Sequence, residues 1–184
     1  MFADHTVESA PPAARRILSA TERQLGYLPA AMARMAEAPQ LMDGFLKLSG
    51  MFENTSLDPL AREVLIMTIA RRNGCHLCMA MHTAKLVGLS APPAVIAALR
   101  DGEPLDDPRL AELRRFTEDV ADAAGDVGEA RVATFLSHGF TRRQALEVVL
   151  GIGTYTLSTL ANRLTEAPVD EPLREFAWEP QPAR

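Results

Sequence analysis

Cysteine and aromatic residues are scarce in this chain of 184 residues, which has 2 Cys, 1 Trp, 2 Tyr and 7 Phe. The two cysteines have Cys-x-x-Cys spacing, which indicates redox or metal chemistry rather than a structural disulfide. Runs of β-branched residues are also scarce, whereas Ala, Leu and Met are plentiful, a composition that favours helices over sheets. We therefore predict an all-α fold, a helical bundle.

The chain also lacks an uninterrupted apolar run of about 18 residues, the length that a membrane-spanning helix requires. Its N-terminus has no basic region followed by an apolar core, so no signal peptide is readable. Acidic residues outnumber basic residues by 24 to 19, and no clustered basic face indicates nucleic-acid binding. We expect a cytoplasmic protein that binds neither nucleic acid nor membranes.

The length of the chain fits one domain that buries a substantial core. We expect this core over about residues 40–165, with terminal extensions at 1–10 and 168–184. Phe176 and Trp178 are the predicted anchors of the C-terminal extension.

The longest predicted helix follows Thr141, which is a good N-cap residue. Gly151 and Gly153 lie inside it despite their low helix propensity, which indicates that another helix packs closely there. The predicted core-facing residues of this helix are Ala145, Leu146, Val149, Ile152, Tyr155, Leu157 and Leu160.

Both cysteines lie in one short stretch, Cys75-His76-Leu77-Cys78, which is followed by His82. The preceding helix begins at Asp58-Pro59 and ends at Asn73-Gly74, and we predict that the next helix has Cys75 in its first turn. Residues i, i+3 and i+7 lie on one helix face, so Cys75, Cys78 and His82 should be neighbours. The helix N-terminus favours a thiolate, and the two sulfurs are close enough for a reversible disulfide.

Glu63 lies on the preceding helix, twelve residues before Cys75. If the two helices fold back on each other at Asn73-Gly74, its carboxylate can reach the imidazole of His82. Glu63 would then orient the ring, His82 would be the base, Cys78 the nucleophile and Cys75 the resolving partner.

Less specific interpretations exist for each of these residues. Buried cysteines are common in protein cores, and Glu63 could form only a salt bridge with Arg62 or Arg71. The side chains of Glu63, Cys75, Cys78 and His82 could also supply four ligands to a zinc ion.

The spacing Glu, eleven residues, Cys, two residues, Cys, three residues, His resembles that of the AhpD-like alkylhydroperoxidases, members of the carboxymuconolactone decarboxylase superfamily. Glu63, Cys75, Cys78 and His82 match this pattern position for position. The resemblance covers roughly residues 40–165, including segments at 139–141 and 162–163.

This resemblance implies an all-helical fold and a peroxidase that reduces hydroperoxides through a dithiol–disulfide cycle. Cys78 would become a sulfenic acid, Cys75 would condense with it to a disulfide, and the Glu63–His82 pair would relay protons. It also implies a lipoyl-bearing or other dithiol reductant, a homo-oligomer (trimer or hexamer), and no metal or flavin cofactor. Some relatives have a histidine directly before the second cysteine, where this chain has Leu77.

Three alternatives remain beside the peroxidase interpretation. A decarboxylase of the same superfamily is one, although that branch typically lacks the cysteine pair. The zinc site is another, and a non-enzymatic redox switch or helical binding module is the third. A thioredoxin-like fold is excluded, because it would need strands that alternate with helices.

Overall fold

The computed structural model describes residues 2–179, and within that range the chain forms nine α-helices, one 3₁₀ helix (η1) and no strands. The prediction of an all-α fold is confirmed. The elements are α1 Pro12–Leu25, α2 Ala30–Met35, α3 Pro39–Glu53, α4 Pro59–Arg72, α5 His76–Gly88, α6 Pro93–Asp101, α7 Pro108–Asp122, α8 Gly128–Ser137, α9 Arg142–Leu164 and η1 Glu171–Phe176.

Helix α4 lies at the centre of the bundle and packs against α5, α7 and α9. Its start follows from the sequence, since the Asp58 side chain accepts a hydrogen bond from the Ala61 N–H and Pro59 occupies the first turn. Every residue from 63 to 70 is buried, because the helix is surrounded on all sides. The single carboxylate within this buried stretch belongs to Glu63.

A tight turn joins α4 to α5, and Gly74 adopts a positive φ of 62° in it. The backbone N–H of Cys75 donates to the carbonyl oxygen of Ala70, which folds the chain back at the end of α4. Cys75 has extended backbone angles and is the N-cap of α5, one residue before the helix begins. Our placement of Cys75 inside the first helical turn was therefore wrong by one position.

Helix α9 exposes part of the apolar set that we expected to face the core. Leu146, Val149 and Leu160 have exposed fractions of 73%, 51% and 56%, so the prediction was wrong for them, whereas Tyr155 is buried. The buried face of the helix is mostly polar, and its members are Gln144, Glu147, Val148, Gly151, Thr154, Tyr155, Ser158, Thr159, Ala161 and Asn162.

These polar side chains are tolerated in the core because they have hydrogen-bond partners. The hydroxyls of Thr154 and Thr159 each donate to a carbonyl oxygen four residues earlier, at 2.7 Å. Glu147 accepts bonds from both the backbone N–H and the hydroxyl of Ser56. A hydrophobic-periodicity argument assumes that polar residues avoid the core, and here local hydrogen bonds remove that penalty.

The C-terminal segment packs against α5 through η1. Arg100 on α6 fixes it, donating to the carbonyl oxygens of Phe176 and Ala177 at 2.9 and 2.8 Å. The Trp178 indole N–H donates in return to the Arg100 carbonyl oxygen at 2.9 Å. Trp178 is buried and Phe176 half-buried, as expected of anchors. Positions 180–184 of the predicted extension lie outside the described residues.

Within residues 2–179, no helix combines the length and the apolar character that crossing a membrane requires.

Gly151 brings α9 into close contact with α3 and α4. A Cβ at this position would lie 2.6 Å from Phe52 Cε2 and 2.7 Å from Leu65 Cδ2. The predicted close approach is therefore confirmed at Gly151. The same prediction was wrong for Gly153, where a Cβ would meet nothing within 4 Å.

Gly151→Ala should lower the free energy of unfolding by about 1–3 kcal/mol, because the added methyl group overlaps two buried side chains. The matched control is Gly153→Ala in the same helix, which should raise stability by about 0.5–1 kcal/mol through helix propensity alone. Denaturant unfolding followed by circular dichroism measures both. Equal effects of the two substitutions would contradict the packing described for Gly151.

Candidate active site

Glu63 and His82 form a buried pair between α4 and α5. Glu63 is 1% exposed and His82 is 7% exposed. His82 Nδ1 lies 2.7 Å from Glu63 Oε2, so the contact expected from the antiparallel helices is present. Neither alternative salt bridge of Glu63 forms, because Arg62 pairs with Glu53 and Arg71 donates to the Asp101 carbonyl oxygen.

Lys85 is a third member of this pair that the sequence did not single out. It lies three residues after His82 on α5, and its Nζ is 3.0 Å from Glu63 Oε1. The same ammonium contacts Glu53 Oε1 at the end of α3. Glu63 Oε2 therefore faces His82, whereas Oε1 has an ion-pair contact with Lys85 that lacks hydrogen-bond geometry.

Burial alone would raise the pKa of Glu63, but its partners outweigh that effect. The charge and hydrogen bond of His82, followed by those of Lys85, hold the pKa of Glu63 below its ordinary value. Glu63 is therefore ionised at neutral pH despite being buried. An ionised Glu63 accepts the Nδ1–H of His82, so Nε2 is the ring nitrogen that does not face the carboxylate.

Tyr155 of α9 packs against the His82 ring. The two rings meet edge to face, with centroids 5.5 Å apart and planes at 85°. Tyr155 also packs in the same manner against Phe45 and Phe52. The imidazole is consequently held on one side by a carboxylate and on another by an aromatic cluster.

Both cysteines are free thiols and both are buried, at 1% exposed for Cys75 and 2% for Cys78. As the N-cap residue of α5, Cys75 accepts the backbone N–H of Cys78 at its sulfur, at 3.4 Å. The N-cap role explains how the two side chains meet, since an N-cap side chain points at the N–H three residues later. The Cys75 sulfur therefore lies against the backbone of Cys78, and the two thiols interact with each other.

The two thiols differ in acidity because they interact. Hydrogen bonds from the Cys78 thiol and N–H, helped by Asn162 and the charge of Arg163, lower the pKa of Cys75 despite its burial. The same pairing with Cys75, together with burial, raises the pKa of Cys78 well above its ordinary value.

Asn162 joins the site from the end of α9. Its side-chain nitrogen donates to Cys78 Sγ at 3.3 Å, and its side-chain oxygen is buried without a hydrogen-bond partner. Two contacts fix this end of α9 to the turn before Cys75: Arg163 donates to the Asn73 carbonyl oxygen, and the Asn73 side chain donates to Thr159. The sequence analysis included residues 162–163 only as part of the family resemblance. It predicted no role for Asn162.

His76 and Leu77 occupy the positions where this chain departs from some relatives. Leu77 is buried in the hydrophobic core, so no imidazole stands directly before Cys78. His76 is half-buried at the start of α5. His82 is therefore the histidine that the fold pairs with Glu63.

The side chains of this site do not form a metal-binding cluster. In the part of the chain that the structure describes, no three His, Cys, Asp or Glu residues are grouped so that they could share a metal ion. The Glu63 carboxylate, one of the four suggested zinc ligands, is instead engaged by His82 and Lys85. The arrangement combines two adjacent thiols with a base oriented by a carboxylate, which suits thiol redox chemistry.

A model of the carboxymuconolactone decarboxylase family matches residues 36–119 of the chain. This range contains the four residues Glu63, Cys75, Cys78 and His82. No curated protein matches the chain significantly.

Solved structures share the fold over nearly the whole chain. An alkylhydroperoxidase AhpD core protein from Ralstonia eutropha JMP134, described as an uncharacterized peroxidase-related protein, has a TM-score of 0.82 at 19% identity and covers 94% of this chain and 93% of its own. A peroxidase-related protein from Silicibacter sp. TM1040 has a TM-score of 0.77 at 20% identity, with 93% and 92% covered. A variant of the debrominase Bmp8, in complex with 2,3,4-tribromopyrrole, has a TM-score of 0.64 at 14% identity, with 90% and 89% covered.

The family match contains the cysteine pair and its Glu–His partners, and the similar structures extend the shared fold to both ends of the bundle. The chain has the AhpD-like fold, and its residues 36–119 are similar to the carboxymuconolactone decarboxylase family.

Proposed function

We propose that this protein is a thiol-dependent peroxidase that reduces hydroperoxides through a Cys75/Cys78 dithiol–disulfide cycle. The observation that carries the proposal is the adjacency of the two thiols on a helix whose His82 lies 2.7 Å from the buried Glu63 carboxylate. A redox-active thiol pair needs a base that removes a proton within a buried site, and the Glu63–His82 pair is suited to that role.

In the first step His82, oriented by Glu63, takes the proton of the Cys78 thiol. The Cys78 thiolate attacks the terminal oxygen of the hydroperoxide, the O–O bond breaks, and Cys78 becomes a sulfenic acid. His82 returns the proton to the departing alkoxide, which leaves as an alcohol. The Cys78 thiol needs this base because its pairing with Cys75 and its burial raise the pKa of the thiol.

In the second step the Cys75 sulfur attacks the sulfur of the sulfenic acid. The S–O bond breaks, a disulfide forms between Cys75 and Cys78, and the hydroxyl leaves as water. The lowered pKa of Cys75 supports its role as the attacking thiol of this step. An external dithiol then reduces the disulfide, and we propose a lipoyl group as its source.

Cys78→Ser should abolish hydroperoxide consumption, because it removes the sulfur that attacks the peroxide. Cys75→Ser should stop turnover after one event and leave a sulfenic acid at Cys78. The measurement is consumption of hydrogen peroxide and an organic hydroperoxide with dihydrolipoamide, thioredoxin or glutathione as reductant, with dimedone trapping and mass spectrometry to locate the sulfenic acid.

The outcome of this experiment separates the peroxidase from its alternatives. A sulfenic acid trapped at Cys75 in Cys78→Ser would reverse the two roles. A single oxidation per chain without turnover with any reductant would favour a non-enzymatic redox switch. Unchanged peroxide consumption in the double Cys75→Ser/Cys78→Ser variant would contradict the mechanism altogether.

Glu63→Gln and His82→Phe should each lower the rate of hydroperoxide consumption by about 100-fold or more, because each removes part of the proton relay. The matched control for a buried carboxylate is Glu112→Gln on α7, since Glu112 is also buried and pairs with Arg131. Stopped-flow measurement at saturating reductant gives the rates. Equal losses in Glu63→Gln and Glu112→Gln would indicate a general effect of disturbing a buried ion pair.

We also propose that the protein is a homo-oligomer, a trimer or a hexamer. The exposed apolar residues on the outward face of α9, among them Leu146 at 73% and Leu160 at 56%, support this proposal. Leu146→Glu combined with Leu160→Glu should reduce the mass measured by light scattering, while Glu129→Asp at an exposed position of α8 should not. A monomeric parent protein would contradict the proposal.

A further inference from the structure

Lys85 connects the buried relay to two carboxylates from different helices. Its ammonium lies 3.0 Å from Glu63 Oε1 and also contacts Glu53, which is held in turn by Arg62. The Lys85 side chain is 40% exposed, whereas the Glu63 side chain is 1% exposed. Lys85 is thus a partly solvated cation paired with one oxygen of a buried anion.

The Glu63 carboxylate cannot remain charged in this position without a cation. A carboxylate that is removed from water takes up a proton unless opposite charges and hydrogen bonds stabilise it. His82 can stabilise the Glu63 carboxylate in two ways that exclude each other. A protonated ring offers a positive charge, and a neutral ring that is ready to act as a base offers only an N–H. If Glu63 depended on the charge of His82 alone, the ring would have to be protonated and could not accept a thiol proton.

We propose that Lys85 is a positioning residue of the relay, whose ammonium keeps Glu63 ionised so that His82 remains oriented and neutral. Glu63 then accepts the Nδ1–H of His82 through Oε2, while Oε1 is paired with Lys85. Nε2 of the ring stays available as the acceptor of a proton. Lys85 contacts neither thiol in this arrangement, and it acts through Glu63.

The other charged groups around the relay do not replace Lys85. Glu53 and Arg62 pair with each other at the surface side of the relay, and Tyr155 presents its ring to His82. On α6 and α7, which also pack near α4, Arg100 pairs with Thr83 and Glu112 with Arg131. Arg71, at the end of α4, donates to the Asp101 carbonyl oxygen. Among the lysines and arginines of the described residues, Lys85 is the one whose side-chain nitrogen lies within 4 Å of the Glu63 carboxylate.

The direction of the pH effect follows from the carboxylate. Burial raises the pKa of Glu63, and the charges and hydrogen bonds of His82 and then of Lys85 lower it. Loss of Lys85 raises the pKa of Glu63, and Glu63 carries its charge only above that pKa. As the pH falls, a variant without Lys85 therefore protonates Glu63 at a higher pH than the parent does. The orientation of His82 is lost at the same point.

Nitrogen NMR of the histidine rings tests the proposal without relying on catalysis. In Lys85→Met, the pH below which the His82 ring loses the Nδ1–H signal of its hydrogen bond to Glu63 should shift upward, because Glu63 loses its charge at a higher pH. Lys85→Arg should restore the parent behaviour, because it keeps the charge. Lys47→Met is the matched control, since Lys47 pairs only with Asp43 at the surface of α3. The His82→Phe spectrum assigns the signal, and Lys85→Gln is a second uncharged variant if Lys85→Met does not fold.

The second readout is the pH profile of hydroperoxide consumption, and here the inference rests on the proposed function. The acid limb of the profile should move upward in Lys85→Met by the same amount and return in Lys85→Arg. The proposal would be overturned if neither uncharged variant showed the NMR shift. It would also be overturned if Lys85→Arg shifted as much as Lys85→Met. A parent protein that consumes no hydroperoxide but shows the NMR shift would overturn the peroxidase function and leave the role of Lys85 standing.

Discussion

The ion pair between Glu63 and its two nitrogen partners is the interaction on which the site depends. Helix α4 is surrounded by other helices, and a carboxylate in its buried stretch would oppose folding by several kcal/mol if it were left alone. His82 and Lys85, one helical turn apart on α5, each pair with one oxygen of it. The packing of α5 against α4 therefore brings Glu63, His82 and Lys85 together, and their pairing makes that packing electrostatically acceptable.

The last helix contributes to the site in an unusual way, because it turns its polar face toward the core. Thr154 and Thr159 satisfy their hydroxyls within the helix, which leaves Asn162 to reach Cys78. Gly151 lets this face approach α3 and α4 closely. The contact of the Asn162 amide with Cys78 and the exposure of the apolar residues of α9 thus both follow from how the helix is rotated about its axis.

Local spacing predicted correctly that Glu63 meets His82 and that Cys75 lies beside Cys78. Positions along two consecutive helices determine which side chains face each other across a short turn. Lys85 was not predicted, since a lysine on a helix is ordinarily a solvated surface charge and only the tertiary position of Glu63 gives it a partner. Asn162 was not predicted because its place depends on the rotation of α9. Periodicity predicted that rotation wrongly from Leu146, Val149 and Leu160, which lie on the exposed side.

The N-cap position of Cys75 links the state of the thiols to the start of α5. A thiol or thiolate sulfur at the N-cap accepts the Cys78 N–H and benefits from the helix dipole. A disulfide sulfur carries no charge and is a weaker acceptor, so this stabilisation belongs to the reduced form. Stabilising the reduced form raises the reduction potential of a dithiol–disulfide couple. In the proposed Cys75/Cys78 cycle, the contact that begins the helix would therefore also make the couple more oxidising and its disulfide easier for a dithiol to reduce.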